Sequence, residues 1–212
     1  MTVEEELATI REKILSEMQC PLKDAATNLV FGKGNPRAKI MFIGEAPGAN
    51  EDLQGVPFVG AAGKELDRLL RVIGLSLDEV YIANILKYRP PNNRNPSTEE
   101  IRRHTPYLIE QIAAIRPTII ATLGNFATKF VLVRFDAESM QKIGGITHLH
   151  GKAQQIRVPL AAIASSSTTH SEEISFTAFP LYHPAATMYN RKLMPELEAD
   201  FRAMQNLLET GC

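Results

Sequence analysis

The chain has 212 residues, of which 44% are apolar and 22% are charged, a composition typical of a globular domain with a substantial core. Its 23 basic and 24 acidic residues give a net charge of −1, which excludes a protein that coats nucleic acid through bulk positive charge. Two cysteines are too few for a disulfide framework, and no apolar run reaches the ~18 residues that cross a bilayer. We therefore expect a cytoplasmic protein that makes no membrane contact and that is, by default, a monomer.

Predicted helices and strands alternate along the chain. The helices, from their 3.6-residue periodicity and end signals, are Val3–Met18, Gly63–Ile73, Thr98–Ile115, Asn125–Leu132 and Met194–Leu208. The strands, from their short apolar runs, are Ile40–Ile43, Val80–Ile85, Thr118–Leu123 and Phe176–Leu181. Ser97 and Glu100 have the spacing of a capping box, and Pro106 should kink or interrupt the helix that this box begins.

The alternation predicts an α/β fold, a three-layer α/β/α sandwich around a mainly parallel central sheet. We expect a single domain over residues 1–212, with an N-terminal helix (1–20) packed on it, because no repeat or linker is visible. The segment 160–173 contains a Ser/Thr-rich run and is predicted to be a surface insertion without chemistry. Two glycines and a proline in Gly32–Pro36 predict a loop before the first strand.

The stretch from Ile40 to Leu70 has the pattern of a ligand-binding connection. Its strand is followed by Gly44-Glu45-Ala46-Pro47-Gly48, by the polar segment Ala49–Asp52, which we expect to be a loop, and by the small-residue segment Gly55–Gly63. Open α/β sheets bind ligands outside the carboxyl ends of their strands, and glycines let the backbone approach a ligand closely. The spacing taken alone fits an ordinary strand–loop–helix connection as well.

Two further strand ends carry side chains suited to recognition. Asn84 ends the second strand and His183 follows the last one, so a parallel sheet would bring both to the edge where the first motif lies. The amide of Asn84 offers a donor and an acceptor in one plane, although an Asn here also fits the cap of the next turn. A lone histidine more often serves structure, but the tight-turn composition after His183 would let a ligand approach. Phe58, taken alone, would be a core residue.

Together these motifs resemble the uracil-DNA glycosylase superfamily, and specifically its family-4 enzymes, over about residues 20–205. The resemblance implies that Asn84 reads the N3–H and O4 edge of uracil and that Phe58 stacks on the flipped base. It implies that His183 donates a hydrogen bond to O2 of the leaving uracil anion. It also places Glu45 in the pocket and the backbone of Ala46 against the base.

The group that positions the attacking water is left open by the resemblance. Related families carry a catalytic Asp directly after the position of Glu45, where this chain has Ala46. Water positioning then falls to Glu45, Glu51 or backbone groups, so the catalytic candidates are His183, Glu45 and Glu51. Glu51 and its neighbour Asp52 also fit solvated loop acids.

Basic residues near the predicted strand ends are the candidates for phosphate contacts. We assign Lys87, Arg89, Arg94 and Arg191 to DNA binding, with Lys33, Arg37 and Lys192 as further candidates. Met188 lies in the loop that inserts an apolar wedge into the base stack in the resembled enzymes, and we predict that role for it. Each of these charges also fits a solvated surface residue.

The chain departs from the resembled family at the positions that hold its iron–sulfur cluster. Four cysteines bind that cluster, whereas the corresponding residues here are Glu17, Cys20, Tyr88 and His104. One thiolate cannot replace four, so we predict no cluster and no other cofactor. We expect the four side chains to meet by packing, with a Glu17–His104 pair, and a zinc site is a less favoured alternative.

The resulting hypothesis is a monofunctional uracil-DNA glycosylase that hydrolyses the N-glycosidic bond of uracil in single- or double-stranded DNA. It would flip the base into a pocket, stabilise the uracil anion and leave an abasic site for base-excision repair. One alternative is a glycosylase with a broader range of deaminated bases. Another is a non-catalytic DNA- or nucleotide-binding module on the same fold.

Overall fold

The computed structural model of the protein describes residues 1–159 and 173–210. Its α-helices are α1 (Val3–Glu17), α2 (Pro21–Ala25), α3 (Ala49–Gln54), α4 (Ala61–Val72), α5 (Thr98–Ile115), α6 (Gly124–Leu132), α7 (Ile146–Leu149), α8 (Ala186–Tyr189) and α9 (Met194–Thr210). Its strands are β1 (Lys33–Gly34), β2 (Ile40–Gly44), β3 (Val80–Asn84), β4 (Ile119–Leu123), β5 (Gln154–Pro159) and β6 (Glu173–Leu181). The predicted insertion lies outside the described residues except for Glu173, which belongs to strand β6.

Within the described ranges the strands form one six-stranded sheet in the order β1-β3-β2-β4-β6-β5. The four central strands, β3, β2, β4 and β6, are parallel to one another. The two edge strands, β1 and β5, each pair antiparallel with their neighbour. The prediction of a mainly parallel central sheet is therefore confirmed.

Apolar side chains cover both faces of this sheet. Along β2, Met41 and Ile43 belong to a core cluster with residues of α1, α5 and α6, whereas Ile40 and Phe42 belong to a second cluster with residues of α4 and α9. Successive strand residues point to opposite faces, so one fully apolar strand contributes to both cores. Helices on both faces make the three-layer α/β/α sandwich that the sequence predicts.

Two local predictions are wrong, and the interruption expected at Pro106 does not occur. The segment Ala49–Asp52 begins helix α3, because Gly48 caps it, acidic side chains lie in its first turn, and Gly55 ends it in a left-handed conformation. The glycine-rich segment before β2 contains the short edge strand β1. Pro106 does not interrupt α5, which runs without a break behind the predicted capping box.

The order of the strands creates a crevice at one edge of the sheet. After β2 the chain crosses by way of α4 to β3 on one side, and it then returns past β2 to β4 on the other side. Ligands of open α/β sheets bind at such a reversal, outside the carboxyl ends of the strands. Separately, none of the helices in the described part of the chain is long and apolar enough to cross a membrane.

Candidate active site

A cavity of about 420 Å³ opens at the carboxyl ends of β2, β3 and β6. This size is within the range of small-molecule sites. Its lining residues come from all three strand ends and from the loops beyond them: Glu45, Ala46, Pro47, Gly48, Glu51, Phe58, Ala62, Asn84, Pro90, Asn93, Arg94, His183 and Ala185. The amide, the ring and the imidazole singled out in the sequence therefore share one cavity.

Asn84 presents an unsatisfied amide oxygen in this cavity. The residue is only 2% exposed, and its buried Oδ1 atom has no hydrogen-bond partner among the residues that the structure describes. The backbone around it is held firmly, because Ile85 N–H donates to the carbonyl of Gly44 and Leu86 N–H donates to that of Glu45. A buried acceptor without a partner costs about 1–3 kcal/mol, and a ligand that donates to it recovers that free energy.

The glycine at the end of β2 makes room for this amide. A Cβ atom on Gly44 would lie 3.0 Å from the ring of Phe58 and closer still to the side-chain oxygen of Asn84. The side chains of Asn84 and Phe58 thus fill the space that a side chain on Gly44 would need. Gly44 lets β2 form the floor of the cavity.

Phe58 occupies the cavity from a strained backbone conformation. Its φ angle is +52°, a left-handed conformation that costs roughly 1–2 kcal/mol for a residue with a Cβ atom. The ammonium of Lys33 donates to its carbonyl oxygen at 2.9 Å, and Gly63 packs so closely against the same peptide that a Cβ there would lie 2.0 Å from that oxygen. These contacts hold the ring in place.

The carboxylate of Glu51 braces the next two residues of the same loop. Its Oε1 atom accepts hydrogen bonds from the backbone N–H groups of Val59 at 3.0 Å and Gly60 at 2.8 Å. Glu51 therefore lines the cavity and is not a solvated loop acid. Asp52 is not solvated either, because it is buried and its Oδ1 atom accepts from the N–H groups of Thr27 and Asn28.

His183 is held as a neutral imidazole with a defined tautomer. Its Nδ1 atom accepts a hydrogen bond from the N–H of Ala185 at 3.2 Å, which leaves the proton on Nε2. Burial lowers the pKa of His183 to about 4, an effect that the charge of Glu51 opposes, so the ring is uncharged at neutral pH. The ring lies 5.8 Å from that of Phe58 between centroids. The cavity therefore receives an N–H donor next to an aromatic ring.

Glu45 is the other carboxylate of the cavity. Burial raises the pKa of Glu45, because desolvation disfavours the charged form. The side chain of Glu51 binds two backbone N–H groups through Oε1, whereas among the described residues the side chain of Glu45 braces no backbone N–H group of this loop. Its backbone continues into Ala46 and Pro47, which form the wall of the cavity beside it.

The predicted DNA-binding residues divide into those that face outward and those that do not. The prediction that Lys87 contacts phosphate is wrong, because its side chain is completely buried and donates to the carbonyl of Asn84 and to Gln111. Lys33 also points inward, to Phe58. Lys33 lies in β1 and Lys87 follows β3, and hydrogen-bond partners distant in sequence, Phe58 and Gln111, help to set their inward direction.

The other candidates lie where DNA could reach them. Arg94 lines the cavity and forms a two-point ion pair with Glu100, at 2.8 and 2.5 Å. Arg89 is half-buried and donates to Asn93 at 2.8 Å. Arg191 is exposed, and Met188, on α8 just beyond the His183 turn, is 55% exposed. No observation assigns any of these to DNA, so their roles stay predictions.

The four positions of the replaced cluster do not form a cluster-binding site. Tyr88 and His104 contact each other with ring centroids 6.1 Å apart, and Cys20 is buried. The predicted Glu17–His104 pair is wrong, because Glu17 is exposed whereas His104 is buried and its Nε2 atom has no hydrogen-bond partner within residues 1–159 and 173–210. Among the residues that the structure describes, no three His, Cys, Asp or Glu side chains are grouped as metal ligands. A single thiol beside two packed rings does not fit an iron–sulfur cluster.

Sequence reasoning missed several residues that shape the cavity. Pro90 and Asn93 line it from the loop after β3, and Ala185 lines it from the turn after His183. The available signal was the polar Pro/Asn-rich composition beyond a strand end, where loops of α/β proteins meet their ligands. The inward hydrogen bond of Lys33 to Phe58 had no local signal.

Comparisons of this chain with protein families and with individual proteins match the same family. The family model described as the uracil DNA glycosylase superfamily matches residues 31–208. The Type-4 uracil-DNA glycosylase of Sulfurisphaera tokodaii is 42% identical over 205 residues, which cover 96% of this chain and 86% of that protein. That of Archaeoglobus fulgidus is 42% identical over 96% of this chain and 94% of the relative, and that of Saccharolobus solfataricus is 41% identical over 96% and 87%.

Proposed function

This chain belongs to the uracil-DNA glycosylase superfamily, and from this membership and the geometry of the cavity we propose that it is a uracil-DNA glycosylase. It binds uracil-containing DNA and hydrolyses the N-glycosidic bond that joins uracil to deoxyribose. The products are free uracil and an abasic site, which makes the reaction the first step of base-excision repair.

Recognition of uracil rests on the amide of Asn84. Its Oδ1 atom accepts from N3–H of the flipped base while its Nδ2 group donates to O4, so the acceptor that is unsatisfied in the cavity gains a partner. Cytosine offers a donor where uracil has O4 and an acceptor where uracil has N3–H. A site that pairs its polar groups with one base rejects the other strongly, since those groups would be left unpaired. Phe58 supplies the stacking surface.

His183 stabilises the leaving group. As the bond between N1 of uracil and C1′ of the sugar breaks, its electron pair stays on the base and the negative charge spreads to O2. The Nε2–H of a neutral His183 donates to that oxygen as the charge develops, which is electrostatic catalysis in a site that does not have to reorganise. The tautomer is suited to this role because Nδ1 already accepts from Ala185.

Glu45 is the better candidate for positioning water. A water oxygen forms the new bond to C1′ and loses a proton, and a carboxylate near that position can orient the water and accept this proton. Glu51 braces the loop through its Oε1 atom, whereas burial raises the pKa of Glu45 and brings it nearer to the working pH of a general base. We assign the water to Glu45 and loop support to Glu51.

Contacts to DNA come from the rim of the cavity. Arg94 lines the cavity, and Arg89 and Arg191 lie close in the chain to residues that line it. A few phosphate contacts suffice for an enzyme with a net charge of −1. Met188 inserts into the base stack from α8 and fills the space that the flipped nucleotide leaves.

The protein works without an iron–sulfur cluster or another metal. The packing of Tyr88 against His104 supports this, because it fills part of the space that cluster ligands would need. Elemental analysis of the purified protein tests the proposal: iron below one atom per chain agrees with it, stoichiometric iron overturns it, and stoichiometric zinc restores the zinc alternative. A cytoplasmic location and a monomeric state also stay predictions, and size-exclusion chromatography with light scattering checks the second.

The unpartnered oxygen of Asn84, in the same cavity as Phe58 and the N–H donor of His183, carries the proposed function. The test is release of uracil from single- and double-stranded oligonucleotides by the wild type, His183→Ala and Asn84→Asp. We expect wild-type release, a loss of about 100-fold in His183→Ala, and cytosine release by Asn84→Asp. A wild type that binds DNA but releases no uracil would favour a binding module, and comparable release of hypoxanthine or xanthine would favour a broader glycosylase.

A further inference from the structure

Lys87 is a completely buried cation next to the candidate site. Its Nζ atom donates to the carbonyl oxygen of Asn84 at 2.9 Å and to Oε1 of Gln111 at 2.5 Å. Its own backbone is fixed as well, since its N–H donates to Nδ1 of His104 and its carbonyl accepts from the N–H of Val30. The side chain therefore turns back along its own chain toward the residue that reads the base.

Gln111 connects this lysine to the rest of the fold. It is also completely buried, and its Nε2 group donates to the carbonyl of Phe31 at 3.1 Å and, more weakly, to the hydroxyl of Tyr81 at 3.5 Å. A continuous set of hydrogen bonds thus runs from the segment before β1 through α5 to the end of β3. Asn84 lies at the end of that set.

The cost of burying this ammonium indicates that it does more than fill space. Within the described part of the chain no carboxylate bonds to it, and burial lowers the pKa of Lys87 to about 7 because desolvation disfavours the charge. Removing a charge from water costs several kcal/mol, and a methionine would fill a similar volume without that cost. What methionine lacks is a hydrogen-bond donor for the carbonyl of Asn84.

We propose that Lys87 is a positioning residue for base recognition: its ammonium fixes the peptide of Asn84 so that the side-chain amide points into the cavity. The role rests on the proposed function of the site. Lys87 is absent from the lining of the cavity, so its effect on base recognition passes through Asn84. The peptide of Asn84 is then held from two sides, by the hydrogen bonds of Ile85 and Leu86 to Gly44 and Glu45 at the end of β2 and by Lys87.

Inhibition by free uracil tests this directly, because it reports on the amide without the chemical step. In Lys87→Met we expect the inhibition constant for uracil to rise about tenfold and kcat/KM to fall by a similar factor. Lys87→Arg keeps the charge and the donors and should recover most of both values. If Lys87→Met does not fold, Lys87→Gln replaces it, because its side chain keeps a polar end but stops one bond short of the position from which the ammonium donates to Asn84.

Gln111→Met is the matched control. It removes the other hydrogen bond of the same ammonium and leaves the bond to Asn84, so it should lower the melting temperature and change uracil inhibition by less than about threefold. Unchanged uracil inhibition in folded Lys87→Met, or an equal loss in Gln111→Met, would overturn the inference. Failure of the proposed function is a separate result, since it requires a wild type that releases no uracil.

Discussion

The side-chain oxygen of Asn84 lies only 2.4 Å from the point where a Cβ atom would sit on Gly44. This is below any separation that real Cβ atoms adopt, so Gly44→Ala must displace the amide, the strand or both. We expect a loss of about 100-fold in kcat/KM for uracil release, because a misplacement of about 1 Å has that effect on an oriented group. Oligonucleotide cleavage measures it.

Gly144→Ala is the control for that change, since a Cβ atom there has no neighbour within 4 Å. It should leave activity at the wild-type level. Wild-type activity in Gly44→Ala would contradict the close contact between the strand end and the amide.

The pH dependence of the enzyme should show a neutral His183. The folded protein takes up this proton only as the pH falls through about 4, whereas the unfolded chain takes it up near about 6.5. His183 therefore reduces stability as the pH falls between these values, and its contribution to kcat/KM should stay level from about pH 8 to about pH 5. NMR titration of the histidine ring, assigned with His183→Asn, measures the pKa of His183. Rates over the same pH range measure its contribution to kcat/KM. Titration of His183 between pH 6 and 7 would contradict the prediction.

Glu45 and Glu51 should respond differently to loss of charge. Glu51→Gln keeps an oxygen that can accept from Val59 and Gly60, so we expect activity within about fivefold of the wild type. Glu45→Gln removes the proposed orienting carboxylate and should lower kcat by about 100-fold with little change in KM. Single-turnover cleavage distinguishes the two variants.

Glu51→Ala serves as the reference for loop support, because it removes the acceptor as well as the charge and should lower both activity and melting temperature. If Glu51→Gln lost as much activity as Glu45→Gln while its stability was unchanged, the assignment of the water to Glu45 would be wrong.

Met188 should matter for duplex DNA more than for single strands. An inserted side chain replaces the stacking of a flipped base, and a single-stranded substrate has no pair to break. We expect Met188→Ala to lose about tenfold in kcat/KM on duplex DNA and less than about twofold on single strands. Met188 is 55% exposed, so its truncation should not change the melting temperature. Equal losses on both substrates would exclude the wedge.

The parts of this molecule that the sequence predicted are those with local signals. The apolar runs of β2 and β3 predict buried strands. Asn84 lies at the end of one strand and His183 just after the end of another, and the carboxyl ends of parallel strands meet at one edge of a sheet. Lys87 was misassigned because a lysine after a strand end is usually solvated. Its direction is set by Gln111, which lies 24 residues further along the chain.

Helix α3 is a second feature that the local sequence pattern does not predict. Four residues of polar, acidic composition carry almost no apolar periodicity, so Ala49–Asp52 was predicted to be a loop. The helix is stabilised by tertiary hydrogen bonds, in which Asp52 accepts from the backbone of residues far earlier in the chain, at Thr27 and Asn28. Such contacts are not visible in a local pattern.

The left-handed peptide at Phe58 has a consequence for how the enzyme fails under stress. Contacts from Lys33, from the closely packed Gly63 and from the loop that Glu51 supports oppose the return of this residue to an ordinary conformation. If heat or denaturant weakens them, the ring can leave the cavity while the central sheet stays folded. Inactivation would then precede melting, and the working range of the enzyme would be limited by one peptide unit, not by its core.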